Sequence, residues 1–289
     1  MAWFIPAILT AIATASQDAW VKKWFSHLNP VEMFVLPLLF GLPLMLITLA
    51  IVPVPPLDTI FYASFAASLP LNALPFILYM KAIRGSPLSL TLPYLAFTPV
   101  FMIPTGHLFL GELPGLWGMI GIATVCAGGY VLNIDTKRWS LLDPFKAVFR
   151  ETGSWIMLIV AFLFSFSSVL GKLAIMHSSV MFFQMSFFAT LGILLTIIFG
   201  IAGKLSLRRM AASPKQGAVA GVLLYMHIFF HGFAIAMTKA AYMISIKRMS
   251  ILVGVIYGGW FFHEENIVIR FTGSLMMVAG AGIILVAGE

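Results

Sequence analysis

Long apolar stretches follow one another along almost the whole chain and are separated by short polar or Pro/Gly-containing segments. A helix needs about 20 mostly apolar residues to cross the hydrocarbon core of a bilayer. The pattern therefore predicts an all-α integral membrane protein. Its ten transmembrane helices are expected near residues 2–25, 30–52, 58–82, 87–110, 113–133, 153–176, 180–202, 216–238, 241–262 and 267–287.

The second half of the chain repeats polar landmarks of the first half. Lys22 recurs as Lys172, and a histidine follows each of them five residues later. Residues 108–112, after the fourth apolar stretch, correspond to residues 260–264, after the ninth. The two offsets, 150 and 152, agree closely, which is the signature of an internal repeat. The sequence therefore predicts two five-helix units, 1–134 and 152–289, joined by a polar linker at 135–151.

An odd number of helices in each unit makes the second unit enter the membrane upside down relative to the first. Inverted repeats of this kind, arranged around a central cavity, are the architecture of many secondary transporters, which work by alternating access. A duplicated structural bundle and a non-transporting sensor are the alternatives. Neither has an equally direct use for this symmetry.

Amino-acid composition supports the membrane assignment and excludes several other classes of protein. Hydrophobic residues make up 61% of the chain and charged residues 9%, and the mean hydropathy is +1.03. Soluble domains carry about 25% charged residues, so a soluble fold, a disordered chain and a collagen-like fibre are excluded. The single cysteine, Cys126, has no partner for a disulfide. The net charge of +7 comes from cations scattered between apolar stretches, which indicates membrane orientation and not nucleic-acid binding.

The clearest candidate for substrate contact is the pair Lys247-Arg248, which lies within the ninth apolar stretch. A charge inside a membrane helix costs about 2.5–3.5 kcal/mol on insertion scales, so it is functional by default. A phosphate or carboxylate would offset this cost, and Arg binds such groups with two hydrogen bonds. In the alternative reading, one cation reaches the membrane interface and the other pairs with a carboxylate.

Lys22 and Lys172 form a second, symmetric pair of candidates near the ends of the first helix of each unit. Asp18 lies four residues before Lys22, the favourable order for an ion pair on one helix face. Asp18 is thus either half of a neutral structural pair or a proton-coupling carboxylate that substrate binding releases. Its counterpart in the second unit is Ser168, so either role would belong to the first unit alone.

Two histidines and two tyrosines complete the candidate cavity. His227 and His231 lie four residues apart and share a face of the eighth helix, where they could serve as a proton relay, as a pH-sensitive wall or in helix packing. Without a third ligand their spacing is a weak indication of metal. Tyr79 follows Pro70 and Pro75, which kink the third helix. Tyr94 is expected to face the cavity from the fourth helix, which the four prolines at 87, 93, 99 and 104 interrupt.

Catalytic motifs are missing from the sequence. Neither Gly-x-Ser-x-Gly, His-Glu-x-x-His nor a P-loop is found. We therefore expect no enzyme and no cofactor. Without an ATP site, transport would depend on a gradient of protons, ions or a counter-substrate.

Several motifs resemble those of the drug/metabolite transporter superfamily, EamA type. They are Lys81-Ala-Ile-Arg-Gly-Ser-Pro87, Thr98-Pro99 and Leu110-Gly-Glu112. The family's Glu-Pro of the fourth helix is Thr98-Pro99 here, so that carboxylate is absent. The second unit departs further, with Ser250-Ile251 at the equivalent place and His263-Glu264 instead of Gly-Glu.

The resemblance implies that predicted helices one to four and six to nine surround the cavity and that predicted helices five and ten lie outside it. Glycines on these outer helices (Gly118, Gly121, Gly128, Gly273, Gly280 and Gly282) could pack within a monomer or across a homodimer. Lys247-Arg248 is also similar to the substrate-binding Lys-Arg pair of the plastid phosphate translocators in this superfamily.

Two arguments disagree on orientation. The loops on the side opposite to the N-terminus hold almost all loop cations, which puts that side in the cytoplasm. The resemblance implies that both termini are cytoplasmic. In either case we expect a secondary transporter for a small polar, anionic metabolite in a bacterial or archaeal inner membrane, in contact with lipid and coupled to a counter-ion or proton. The alternatives are an exporter of amino acids or drugs and a flippase for a phosphate-headed lipid.

Overall fold

A computed structural model of the chain describes residues 2–86, 92–131, 152–262 and 267–288. The regular structure in these ranges is helical throughout. The helices are α1 (Phe4–Phe25), α2 (Pro30–Ile51), α3 (Thr59–Gly85), α4 (Thr98–Leu110), α5 (Leu116–Val131), α6 (Thr152–Met176), α7 (Val180–Ile201), α8 (Pro214–Ala236), α9 (Ala240–Lys247), α10 (Ser250–Phe262) and α11 (Ile267–Ala287), with a 3₁₀ segment at Leu92–Phe97 and a single helical turn at Leu207–Met210. The predicted linker 135–151, Pro87 and the His263-Glu264 pair lie outside the described residues.

Six of the described helices are long and apolar enough to cross a membrane, namely α1, α2, α3, α6, α7 and α8. The predicted all-helical membrane protein is thereby confirmed. The predicted count of ten spans is not, because α4, α5, α9 and α10 are each shorter than the about 20 residues that a bilayer requires, and α11 is not among the six. Two of these shorter pieces, α9 and α10, follow each other almost directly.

The fourth predicted span is broken where its prolines indicated a break. The 3₁₀ segment ends at Phe97 and α4 begins at Thr98. Pro99 occupies the first turn of α4, where its missing N–H leaves no helical hydrogen bond unmade. This part of the prediction is confirmed for the described residues.

The ninth predicted span was expected to be one helix, and this expectation is wrong. Helix α9 ends at Lys247 and α10 begins at Ser250, with a turn at Arg248 and Met249. Hydrogen bonds three residues apart replace the α-helical ones here, as from the N–H of Met249 to the carbonyl of Ile246 at 2.9 Å. The turn contains no proline or glycine, so the sequence carries no breaker that would predict it.

The two halves of the chain pack into each other, and their contacts come in matching pairs. Helix α3 packs on α6 while α1 packs on α8, and α4 packs on α6 while α9 and α10 pack on α1. Helix α2 contacts α7, and α5 contacts α11. Each helix of the first half thus meets helices of the second half, so the core between them is shared by both.

Small residues bring α5 and α11 into close contact within one chain. A Cβ atom added to Gly121 would lie 2.9 Å from the carbonyl oxygen of Gly280, and one added to Gly280 would lie 2.7 Å from the carbonyl oxygen of Gly121. Gly128 approaches the carbonyl of Gly273 in the same way. These four glycines therefore pack α5 against α11 within one chain.

Candidate functional site

A single cavity among the helices gathers most of the residues singled out from the sequence. Helices α1, α3, α6, α7, α8, α9 and α10 contribute to its wall, as does the 3₁₀ segment. Together with the part open to its surroundings, the empty space amounts to about 1000 Å³. The predicted site residues on the wall are Asp18, Tyr79, Lys172, His227, His231, Lys247 and Arg248.

Arg248 reaches the cavity from the turn between α9 and α10. The residue is 5% exposed, and its Nη2 donates a hydrogen bond of 2.7 Å to the hydroxyl oxygen of Thr98, the first residue of α4. Its Nε is buried and has no hydrogen-bond partner among the described residues. A buried guanidinium with an unsatisfied donor is costly, so this site favours an acceptor that enters the cavity.

Lys247 lies next to Arg248 at the last position of α9 and is half-buried. For the described residues, no hydrogen bond or ion pair engages its ammonium group. It lines the same cavity as Asp18, His227 and His231. Two neighbouring positive charges therefore share one cavity, and among the described residues of its wall one carboxylate faces them.

That carboxylate belongs to Asp18, in the middle of α1. Its Oδ2 accepts a hydrogen bond of 2.5 Å from the hydroxyl of Tyr79 in α3. Both side chains are buried. The carboxylate that the sequence places one turn before Lys22 is thus held by a residue of a different helix.

The two histidines of α8 face the same cavity in unlike settings. Nδ1 of His227 lies 3.2 Å from Oε1 of Gln17, within hydrogen-bond distance when the proton is on that nitrogen. Nδ1 of His231 is buried without a partner in the described part of the chain. The two rings meet edge to face at 6.1 Å. His231 therefore adds a second unsatisfied polar atom near the cations.

Lys172 lines the cavity, yet its ammonium group is already engaged. It forms an ion pair with Glu112 and donates a hydrogen bond of 2.6 Å to the carbonyl of Thr238. The second carboxylate oxygen of Glu112 accepts a hydrogen bond of 2.8 Å from the N–H of Ala240, which begins α9. Lys172 thus joins the cavity wall to the chain segment after α4.

Gly111 explains why Glu112 turns back towards Lys172. It ends α4 with a φ of 66°, in the left-handed region that glycine adopts without steric cost. The N–H of Glu112 then bonds to the carbonyl of Gly106 at 3.2 Å, which closes the helix end.

The structure does not bring Lys22 and Tyr94 to the cavity wall. Lys22 donates a hydrogen bond of 2.7 Å to the carbonyl of Ser86, at the end of α3. This contact matches that of Lys172 with the carbonyl of Thr238. Lys172 lies 150 positions after Lys22, and Thr238 lies 152 positions after Ser86. Tyr94 is buried, but in a segment with three residues per turn it is its neighbour Leu95 that faces the cavity.

Sequence reasoning missed several polar residues of the site. Three of these residues are amides on the cavity wall and one is the hydroxyl partner of Arg248: Gln17, Asn72, Gln184 and Thr98. An amide within an otherwise apolar helix is the signal that would have identified the first three, because such a group needs a partner inside the membrane. No group of His, Cys, Asp and Glu with the arrangement of a metal site is found in the described ranges.

Comparison with known proteins bears on the family and on the fold. Residues 1–134 match the model of the EamA-like transporter family. A solved crystal structure of a protein superposes with a TM-score of 0.67 over 97% of each chain, with 12% sequence identity. A similarity at this level of identity shows a shared fold. No curated protein matches the sequence.

Proposed function

We propose that the chain is a membrane transporter that carries a small anionic metabolite by secondary active transport. Residues 1–134 match the EamA-like transporter family, which belongs to the drug/metabolite transporter superfamily. Alternating access to the central cavity would carry the substrate across the membrane. The driving force would be a gradient of protons, ions or a second anion. Asp18 is the coupling candidate, since it is the carboxylate that faces the cations.

The observation that carries this proposal is the pair Lys247 and Arg248 in one cavity. Their charges exceed the single carboxylate of Asp18, which Tyr79 already engages. The buried Nε of Arg248 lacks an acceptor. An anion would supply both the missing charge and the missing acceptor, and thereby offset the cost of burying two cations at membrane depth.

We further propose that the chain forms ten spans as two inverted units, 1–134 and 152–289, joined by the linker 135–151. The matching pairs of helix contacts support this arrangement, since α3 on α6 corresponds to α1 on α8. The breaks before Thr98 and before Ser250 support it as well, because they lie 152 positions apart. Discontinuous helices that meet at the substrate site are common in transporters built from inverted repeats.

A thermal-shift screen of the full chain in detergent tests the anionic substrate. A ligand that binds only the folded state raises the melting temperature by mass action. We expect phosphorylated or carboxylate metabolites to stabilise the wild type and to lose this effect in Lys247→Ala and Arg248→Ala. The control is Arg208→Ala, which removes an exposed cation outside the cavity and should leave the shift unchanged. Equal shifts in wild type and both cavity variants would overturn the proposal.

Asp18 favours one second candidate, a zwitterionic substrate such as an amino acid. Its carboxylate would hold the substrate's ammonium group while Lys247 or Arg248 holds the carboxylate. In the same screen, Asp18→Asn separates the two candidates. A zwitterion should lose its stabilising effect in this variant, whereas a simple anion should keep it or stabilise more strongly.

A further inference from the structure

Glu112 connects two parts of the molecule that the proposed function treats separately. We propose that it is a positioning residue: its ion pair with Lys172 holds the start of α9 against the segment after α4, and so fixes where Lys247 and Arg248 stand in the cavity. The consequence for transport rests on the proposed function, since it matters only if these cations bind the substrate.

The geometry at Glu112 is that of a clamp. One carboxylate oxygen binds the ammonium group of Lys172 from α6, and the other accepts the N–H of Ala240 from α9. Lys172 also donates to the carbonyl of Thr238, two residues before α9. Three chain segments therefore meet at one carboxylate, which lies on none of the cavity walls itself.

A second contact ties the same two segments together. The hydroxyl of Tyr242, in the first turn of α9, accepts a hydrogen bond of 3.0 Å from the N–H of Gly115 and donates one to the carbonyl of Gly288. Tyr242 is 2% exposed and packs directly against Gly118 of α5. The beginning of α9 is thus held at two points by residues 112–118.

The other end of α9 carries the cations. The helix has eight residues, which at 1.5 Å per residue makes it about 12 Å long. A single stretch of α-helix of this length moves as a rigid piece. Lys247 is its last residue, and Arg248 and Met249 form the turn that separates it from α10. A shift of Ala240 is therefore transmitted to Lys247 and Arg248, with the turn as the point of bending.

Lys172 gives this clamp a link to the cavity. Its side chain lies on the cavity wall, while its ammonium group neutralises Glu112. Removal of one partner of a mostly buried ion pair leaves the other charge without compensation, and such a loss is strongly destabilising for the local arrangement. Loss of the charge on either residue should therefore release the start of α9 and not merely weaken one contact.

Thiol reactivity in the cavity tests the inference without any ligand. In a Cys126→Ser background, Lys247→Cys is labelled with a water-soluble methanethiosulfonate, and the rate is measured with and without Glu112→Gln. Gln keeps the shape of the side chain and an acceptor for Ala240 but cannot form an ion pair with Lys172. We expect the labelling rate of Lys247→Cys to rise severalfold in the Glu112→Gln background. The control is Ser168→Cys, a half-buried position of the same cavity on α6, whose rate should stay the same.

Spin labels at Leu113→Cys and Met237→Cys report whether the clamp itself opens. Both positions are exposed and flank the contact on either side. Glu112→Gln should broaden the distance distribution towards longer distances. Lys172→Met should do the same, whereas Lys172→Arg should restore the narrow distribution and also the slow labelling of Lys247→Cys.

Three results would overturn the inference. They are an unchanged distance distribution, an opened contact with an unchanged labelling rate of Lys247→Cys, and an equal effect of Lys172→Arg and Lys172→Met. Because no ligand is present, these outcomes do not depend on which substrate the cavity takes. A failure of the anion screen would therefore leave this result standing, and the reverse also holds.

Discussion

Arg248 donates a hydrogen bond of 2.7 Å to Thr98, a residue 150 positions earlier in the chain. Each of the two stands at the break of a helix, Thr98 where the 3₁₀ segment gives way to α4 and Arg248 between α9 and α10. The contact therefore joins the two irregular stretches of backbone that border the cavity. It also satisfies one donor of a guanidinium group that is 5% exposed.

Replacement of Thr98 tests how much this hydrogen bond contributes to the stability of the protein. Thr98→Val keeps the shape of the side chain but leaves Nη2 of Arg248 without its acceptor, and it removes the bond from Thr98 to the carbonyl of Leu95. Hydrogen bonds to charged groups contribute about 1.5–3 kcal/mol, so we expect a loss of that order in the free energy of unfolding. Unfolding in detergent, followed by intrinsic fluorescence, measures it.

Thr98→Ser is the matched control, because it retains the hydroxyl. It should unfold close to the wild type. If Val and Ser at this position lower stability equally, the hydroxyl of Thr98 has no part in holding Arg248 and the loss comes from packing alone.

Tyr79→Phe removes the hydroxyl that binds Asp18. A buried carboxylate that loses its donor costs about 1–3 kcal/mol, since nothing replaces the lost hydrogen bond. A lower melting temperature is expected. Tyr62→Phe on the same helix provides the comparison, because Tyr62 is 60% exposed and lies outside the cavity.

The double variant Asp18→Asn/Tyr79→Phe shows whether the two side chains act through each other. If they do, the two single losses will not add up, and the difference is their coupling energy. Additive losses would mean that Tyr79 stabilises the fold independently of Asp18.

Two glycines of α11 should respond in opposite ways to alanine. A Cβ at Gly280 would lie 2.7 Å from both the carbonyl oxygen of Gly121 and the backbone nitrogen of Val125, whereas a Cβ at Gly282 would meet no atom within 4 Å. Overpacking of a close contact costs about 1–3 kcal/mol, so Gly280→Ala should destabilise the protein. Gly282→Ala should be neutral or stabilise by up to about 1 kcal/mol through helix propensity. Thermal unfolding of both variants side by side makes the comparison.

A result in which both alanines are tolerated would mean that α5 and α11 do not approach each other this closely. Loss of stability in both variants would instead indicate that Gly282 also faces a neighbour, such as a second copy of the chain.

Asp58 caps the N-terminus of α3, just before the span begins, and its charge should make stability depend on pH. It accepts the N–H of Phe61 at 2.8 Å and lies 2.6 Å from Nδ1 of His177. The bond from Phe61, and after it the contact with His177, hold the pKa of Asp58 below its usual value. Because the folded-state pKa is the lower one, the charged carboxylate adds stability at neutral pH, and this is lost as the pH falls through that pKa.

Asp58→Asn isolates the charge, since Asn also caps helices well. The melting temperature of the wild type should exceed that of the variant at neutral pH, and the two should converge in acid. A difference that persists unchanged in acid would contradict the assignment of the stability to the charge of Asp58.

The membrane class and the position of one helix break could be predicted from the sequence. The apolar length of six helices and the prolines before α4 act locally, through the solvation of side chains and the missing N–H of proline. Lys247 and Arg248 were identified for a similar reason, because a charge within an apolar stretch is conspicuous whatever the chain does elsewhere.

The partners of these residues lie outside the reach of sequence patterns. Asp18 bonds to Tyr79 from another helix, although Lys22 lies one turn away on its own helix. Helix spacing identifies only which residues share a face, not which other helix that face meets.

By itself, the sequence determined that lipid is the solvent of this protein and that its cations in apolar stretches need a partner or a ligand, because both follow from the cost of removing each group from water. Only the tertiary structure decided that Arg248 meets Thr98, that α9 ends at Lys247 without a proline, and that Lys172 is engaged by Glu112. These contacts join residues 60 to 150 positions apart. They arise from the way the two halves interlock, and no local pattern encodes the relative placement of helices that the whole core determines.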